Sequence, residues 1–349
     1  MNAVSRALGR GSGTVIGGRA ALLADPQFIH HAARDHRVVL VSGTNGKTTT
    51  TALVAAALRS GGDEVVSNGT GSNMPAGHAA ALATAGKGSL VVLETDEPYL
   101  PATIEATKPV AVTLLNLSRD QLDRTNEVRM VARRWREALQ ESDALVVANA
   151  DDPLVAWAAE AASRVVWVGA GLAWREDARS CPWCGGTLAF DDQSWRCSCG
   201  AKRPELSVCL ESTTLKAPSG AVVLNLALPG DFNLGNAALA VATAEALGLD
   251  LGAAARAVGE VRDVAGRFAV REVAGRKVRT VLAKNPAGWS ALITETEGSW
   301  LPLVLSLNAR VADGKDPSWI YDVPFERLAG RRVVATGERR LDLSVRLSY

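Results

Sequence analysis

Short apolar runs alternate with longer stretches of helical spacing through the first half of the chain. Residues 37–41 read Arg-Val-Val-Leu-Val and stop at Ser42-Gly43, the length and β-branched content of a buried strand. From Thr48 to Arg59 the sequence turns rich in alanine, leucine and threonine at helical spacing. The strand pattern returns at 89–94, 110–115 and 144–148, with helical sequence between. This alternation predicts an α/β fold with a mostly parallel sheet covered by helices, and ligands at the carboxyl ends of the strands.

From about Gly169 to Pro204 the pattern breaks into cysteine, tryptophan, glycine and charge, too little apolar sequence for a core of its own. Strand-like sequence resumes at Leu224–Leu228, and Asn236–Leu247 reads as an amphipathic, alanine-rich helix. The first domain is therefore expected over 1–273, interrupted by an insertion at about 175–206. A second domain, 274–349, opens with the strand-like Val278–Leu282.

Composition narrows the function classes. The 349 residues are 47% hydrophobic and 21% charged, and 38 lysines and arginines balance 37 acidic residues to a net charge of +1. No general field would draw such a chain to nucleic acid or an anionic membrane, so any affinity for phosphate must be local. Nowhere do about 18 uncharged apolar residues run together, and Met1–Gly18 lacks a signal-peptide core. A soluble, cytoplasmic protein is expected, in whose reducing environment cysteines serve metals better than disulfides.

Local phosphate affinity has a candidate at Gly43-Thr44-Asn45-Gly46-Lys47-Thr48-Thr49-Thr50. A loop from strand to helix aims backbone N–H groups and the positive helix end at one point. Glycines 43 and 46 admit phosphate close to the backbone, Lys47 can neutralise its charge, and the Thr48 hydroxyl can ligate Mg2+. Where the common G-x-x-x-x-G-K-[ST] pattern has its first glycine this chain has Val41, so the loop is a shortened Gly-x-x-Gly-Lys-Thr version. The bland alternative is a glycine-rich turn without a ligand, which gives no reason for a lysine between glycine and a run of threonines.

Four of the five cysteines form two knuckles, Cys181-Pro-Trp-Cys184 and Cys197-Ser-Cys199, joined by a segment in which Leu188–Phe190 and Ser194–Arg196 can form a small ribbon. Four thiolates predict a closed, structural Zn2+ site. The second knuckle has one intervening residue where zinc ribbons usually have two. Cys209 stands apart and reads as a buried apolar cysteine. A nucleic-acid-binding ribbon would need a basic stripe, and only Lys202 and Arg203 flank this one.

The shortened loop resembles that of the Mur ligases and folylpolyglutamate synthetases, which use ATP to turn a carboxylate into an acyl phosphate and then an amide. Further segments agree in order: Leu93-Glu94-Thr95-Asp96-Glu97, Asn116-Leu-Ser-Arg-Asp120-Gln121-Leu-Asp123, Asn149-Ala-Asp-Asp-Pro153, Gly230-Asp-Phe-Asn233-Leu-Gly-Asn236, Gly266-Arg-Phe268 and Lys284-Asn-Pro-Ala-Gly288. Gln121 replaces the family's histidine. Together with the cysteine insertion and Asp316-Pro-Ser-Trp-Ile-Tyr-Asp322, it resembles the MurT branch, over Gly9 to Tyr349.

The resemblance implies a Mur-ligase-type central ATP-binding domain and a C-terminal MurT-type domain. It also implies ATP held by Gly43 to Thr49, with Asn233 and Asn236 near adenine and Asn308 and Asp313 facing the ribose, and Mg2+ on Thr48 and Glu94 with Glu97 in reserve. Glu94 read alone could be a strand-end surface carboxylate. The implied acceptor is the α-carboxylate of D-glutamate in the lipid II stem peptide, and the nucleophile is ammonia from a separate GatD-type glutaminase subunit. An aspartate of the C-terminal domain would complete that partner's Cys–His pair, Asp322 before Asp316, although either residue could equally be a turn or helix-cap aspartate. Relatives run on beyond the sequence resembling Arg346–Tyr349, so a shortened second domain is expected. Two other readings remain: a stand-alone Mur-type amino-acid ligase, and a nucleotide-gated binding module without catalysis.

Overall fold

The computed structural model describes residues 15–69, 71–119, 128–191, 194–264, 268–309 and 316–349. Gln121, Asp120, Asp123, Gly266, Arg267 and Asp313 lie outside them.

The chain enters through helices α1 (Ile16–Ala24) and α2 (Phe28–Ala33), then alternates β1 (Arg37–Ser42), α3 (Lys47–Arg59), β2 (Val65–Ser67), α4 (Pro75–Leu82), β3 (Leu90–Glu94), α5 (Leu100–Thr107) and β4 (Ala111–Leu114). It continues with α6 (Val128–Gln140), β5 (Leu145–Asn149), α7 (Pro153–Ala159) and β6 (Val165–Gly169). The ribbon strands β7 (Leu188–Phe190) and β8 (Trp195–Cys197) follow, then β9 (Val208–Glu211), β10 (Thr214–Ala217), β11 (Gly220–Val223), α8 (Asp231–Ala246) and α9 (Leu251–Gly259).

Among the described residues, nine of these strands form one sheet in the order β11-β10-β9-β6-β5-β4-β1-β3-β2. Pairing is parallel from β2 across to β9 and antiparallel only through β10 and β11. A sheet buried on both faces needs strands apolar at every position, and β1 supplies this. Val39 and Val41 pack on the side of α3, α8 and α9, while Val38 and Leu40 pack on the side of α4 to α7.

Strand β1 has β3 on one side and β4 on the other. Chain direction across the sheet reverses there, opening a crevice at the carboxyl ends of the strands, where α/β sheets bind ligands. The phosphate-loop candidate emerges from the end of β1 into this crevice.

The four strands expected first all form, within one or two residues at each end. The strand expected over Leu224–Leu228 does not. The sheet instead ends in the β10–β11 hairpin at Gly220–Val223, and Leu224 and Leu228 are loop residues buried in the core beside α8. Cys209 is half-buried on β9 rather than buried.

A hairpin of β12 (Phe268–Val273) and β13 (Arg276–Val281) spans the expected 273/274 boundary as one antiparallel pair. It leads to α10 (Pro286–Glu295), β14 (Leu303–Ser306), β15 (Val333–Thr336) and α11 (Arg340–Leu347). Strands β14 and β15 pair in parallel, and Trp289, Trp319, Ile320, Val323, Phe325 and Leu343 form a separate small core. No described helix is long and apolar enough to cross a membrane.

Candidate active site

The loop after β1 is held by hydrogen bonds from the loop after β4. Thr44 donates its N–H to the Asn116 carbonyl at 2.8 Å. The Asn116 amide closes both sides of Asn45, accepting from its N–H at 3.0 Å and donating to its carbonyl at 3.0 Å. Ser118 donates its N–H to Thr44 Oγ1 (3.0 Å) and accepts from Asn45 Nδ2 (3.0 Å). This approach is why residue 43 is glycine: a Cβ there would lie 2.7 Å from Leu115 Cβ. Gly46 has φ +85, and a Cβ on it would stand 2.7 Å from Asn236 Oδ1, so conformation and space both exclude a side chain.

Asp152 ties this second loop down from below. It is fully buried, accepts Leu154 and Val155 N–H as the N-cap of α7, and accepts Leu117 N–H at 2.8 Å. Burial pushes its carboxyl up to about 6 against those three donors.

Helix α3 begins at Lys47, whose Nζ lies 2.6 Å from Glu97 Oε2 and 3.2 Å from Asp96 Oδ1, all three residues being less than a tenth exposed. Burial pushes Glu97 up to about 7, while Lys47 opposes the shift. The next residue, Thr48, donates its Oγ1 hydroxyl to Glu94 Oε1 at 3.2 Å. Glu94, at the end of β3, is fully buried rather than a surface carboxylate. Asn68 holds its backbone from both sides, donating to the Glu94 carbonyl (2.9 Å) and accepting its N–H (2.6 Å). His78 Nε2 also meets that carbonyl at 2.9 Å. A carbonyl only accepts, so Nε2 carries the proton, and burial lowers this histidine to about 4 and keeps it neutral.

A cavity of about 780 Å³ opens over the loop. Thr44 to Thr49 line it together with Asn73, Asp96 and Asn116, and so do Asn149, Trp174, Phe232, Asn233 and Asn236. Asn236 Nδ2 donates to Asn233 Oδ1 at 3.1 Å, and Asn233 to the Pro229 carbonyl at 2.6 Å. Arg279, Lys284 and Asn285 of the C-terminal segment also line it, Arg279 lying 3.4 Å from Glu295. The donors suit Mg·ATP: backbone N–H groups at a helix start and Lys47 for phosphate, a hydroxyl beside a buried carboxylate for a hard cation.

The four ribbon sulfurs lie within 4.8 Å of one another. Cys181–Cys199 is 3.8 Å and Cys184–Cys197 3.5 Å, close to the about 3.8 Å edge of a tetrahedron with 2.3 Å metal–sulfur bonds. The single-residue spacing of the second knuckle thus does not prevent the four thiols from converging, and the site fits Zn2+. Burial pushes the Cys181 thiol up to about 12, while the Cys199 N–H pulls Cys197 down to about 7. The ribbon is anchored to the sheet domain by Trp195, whose Nε1 donates to the Ala150 carbonyl at 3.0 Å, and by Arg203 against Asp151 at 2.6 Å.

Asp322 ends a 3-10 turn, Ser318–Asp322, that the buried Trp319 and Ile320 fix to the C-terminal core. It is about half exposed and lies 3.3 Å from Arg119 Nη2 of the central domain. Asp316 instead caps the turn, accepting the Ser318 N–H at 2.8 Å and hydroxyl at 3.0 Å. Asn308 is exposed, accepts the Glu338 N–H at 3.0 Å, and does not line the cavity.

Asn68, Asn73, His78, Asn116 as a loop clamp, and Arg119 escape sequence reasoning. Their partners across the fold lie from 16 positions away, for His78 and Glu94, to 203, for Arg119 and Asp322, and none stands in a spacing that signals chemistry. Asn116 and Arg119 both stand in the recognised segment at 116–123, the signal that could have led to them.

Residues 41–244 match the family described as Mur ligase middle domain, and 282–349 the family described as MurT ligase C-terminal. The chain is similar to a Staphylococcus aureus protein named lipid II isoglutaminyl synthase (glutamine-hydrolyzing) subunit MurT, with 31% identity over 98% of this chain and 84% of that one. A Streptococcus pneumoniae protein of the same name is 31% identical over 97% and 82%. Among solved structures, a pseudomurein peptide ligase type C from Methanothermus fervidus superposes with a TM-score of 0.72 at 21% identity, covering 89% of this chain and 66% of that chain. The Mur fold, the middle-domain match across the sheet and the MurT match across the final segment agree: the chain belongs to the Mur ligase family, in its MurT branch.

Proposed function

We propose that the chain is the ATP-dependent subunit of a lipid II isoglutaminyl synthase. It activates the α-carboxylate of D-glutamate in the lipid II stem peptide for amidation to D-isoglutamine, with ammonia from a GatD-type glutaminase partner. The observation that carries this reading is that the phosphate loop with Lys47 and Thr48, and the C-terminal Arg279 and Lys284, line one cavity, with the buried Glu94 directly behind Thr48 at 3.2 Å.

A carboxylate repels nucleophiles and has no leaving group, so ammonia cannot displace its oxygen at neutral pH. One carboxylate oxygen bonds to the γ-phosphorus as the bond to ADP breaks. Ammonia then bonds to the acyl carbon, phosphate departs with that oxygen, and the nitrogen gives up a proton. Positioning and charge compensation are what the protein contributes. Lys47 and the Gly46–Thr49 backbone hold the β and γ phosphates, and Asn233 and Asn236 border the adenine end. Thr48 and Glu94 would hold Mg2+, which neutralises charge on the phosphate oxygens. Arg279 and Lys284 bring positive charge to the same cavity for phosphate or carboxylate.

Glutamine hydrolysis belongs to the partner, and Asp322 is the carboxylate offered to its histidine: it is half exposed, on a rigid turn, with its neighbour Asp316 occupied in capping. Zn2+ in the ribbon is structural.

The test is amidation of lipid II by the chain reconstituted with its glutaminase partner. Amide formation requiring ATP, Mg2+ and glutamine together is expected. Ligation of a free amino acid by the isolated chain would instead establish the stand-alone ligase, and a confirmed complex unable to amidate would sink the proposal.

A further inference from the structure

Arg119 joins three parts of the molecule. Its backbone N–H donates to Asp177 Oδ2 at 2.9 Å and its Nε to Asp177 Oδ1 at 2.6 Å, while its Nη2 lies 3.3 Å from Asp322 Oδ2. Asp177 is itself fixed, accepting the Trp174 indole N–H at 2.8 Å, so the guanidinium is oriented from the central domain. The residue before it, Ser118, is bonded to both Thr44 and Asn45 of the phosphate loop. One hydrogen-bonded path therefore runs from the nucleotide loop through Ser118 and Arg119 to a carboxylate of the C-terminal domain.

We propose that Arg119 is a positioning residue for the glutaminase half-reaction: it takes Asp322 Oδ2 and thereby aims Oδ1 at the partner's histidine, tying that carboxylate to the phosphate loop. The proposal rests on the reading of Asp322 given above. Guanidinium suits the task, because its planar fork can hold Asp177 through one edge while Nη2 reaches a second carboxylate. A carboxylate accepts at both oxygens, so the ion pair orients Asp322 without consuming its capacity to orient an imidazole. The same link makes the glutaminase respond to the nucleotide: a phosphate loop ordered by ATP orders Ser118, hence Arg119, hence Asp322.

The path also predicts what loss of Arg119 spares. In Arg119→Ala, Asp177 keeps its bonds to the Trp174 indole and to the backbone N–H of residue 119, and the Thr44–Ser118 contacts involve no side chain of 119. ATP binding and the fold therefore survive.

The experiment compares amidation by the reconstituted complex with glutamine and with ammonium chloride as nitrogen source. For Arg119→Ala, glutamine-driven amidation falls about fivefold, the size expected of an ion pair shielded as little as this one, while ammonia-driven amidation changes less than about twofold on the same scale. Arg119→Lys, retaining a point charge, recovers part of the loss. ATP stimulation of glutamine hydrolysis shrinks in Arg119→Ala alongside. Equal loss with both nitrogen sources would make Arg119 merely structural and overturn the proposal, as would unchanged glutamine-driven amidation. Asp322→Asn in the same assay separates the two levels of inference. If it leaves glutamine-driven amidation intact, the reading of Asp322 fails; if it abolishes it while Arg119→Ala does not, only the role of Arg119 fails.

Discussion

Replacing Lys47 by Met separates the lysine's part in phosphate binding from its part in the fold. Lys47 lies 2.6 Å from Glu97 and 3.2 Å from Asp96, and burial already raises Glu97 from 4.5 to about 7 with the lysine opposing. The methionine fills the space of the stem without the charge, so Glu97 rises further and stays protonated in the folded variant. A carboxyl raised on folding binds more protons folded than unfolded, so its stability contribution is lost as pH rises above the unfolded value of 4.5. In the unaltered protein that loss levels off near 7, where folded Glu97 ionises; in the variant it continues. The deficit of Lys47→Met should therefore be smallest near pH 6 and grow above pH 7 by at most about 1.4 kcal/mol per pH unit for as long as Glu97 stays protonated in the variant, an upper limit of roughly 3 kcal/mol at pH 9. This sits at the lower end of the about 3–5 kcal/mol seen when one partner of a buried ion pair is removed. Urea unfolding followed by tryptophan fluorescence at pH 6, 7.5 and 9 reads it. Lys47→Met/Glu97→Gln should remove the pH dependence while ATP binding stays lost in both variants. A deficit independent of pH, or one that the second substitution leaves in place, would refute the reasoning.

Asn116→Ala removes two hydrogen bonds to Asn45 but keeps the backbone bond to Thr44; ATP affinity measured calorimetrically should fall about tenfold, an effect of about 1.4 kcal/mol, with little change in the urea midpoint. Metal analysis of the purified chain should return one Zn2+ per molecule. Its binding to a metal-free sample should release protons, because Cys181 is held protonated by burial. Cys184→Ser or chelation should expose Trp195 and Trp183 of the ribbon, seen as a fluorescence shift, and leave ATP binding unchanged because the cluster lies outside the cavity.

The parallel sheet was legible because its strands are buried on both faces and so are written as unbroken β-branched runs. Strand β11 was not: its apolar Ala221-Val222-Val223 runs straight into Leu224, so the sequence does not mark where the exposed edge strand ends and the loop begins, and Leu224 and Leu228 fill the core from that loop. The phosphate loop was legible because glycine, lysine and threonine at that spacing serve one chemistry. Its clamp was not, since an asparagine 71 positions away bonds to backbone atoms that any residue at position 45 would offer. The cysteines announced their site by spacing. Arg119 stood in a recognised segment, but its meaning depends on Asp177 and Asp322, which only the fold brings to it.

Acyl phosphate formation in the cavity over Lys47 is the central claim, and oxygen transfer tests it most directly. Lipid II carrying 18O in both oxygens of the D-glutamate α-carboxylate is amidated by the chain with ammonium chloride and ATP, and the released phosphate is weighed by mass spectrometry. One 18O in the phosphate for each amide formed is the expected result. Phosphate without label, alongside amide formation, would contradict it.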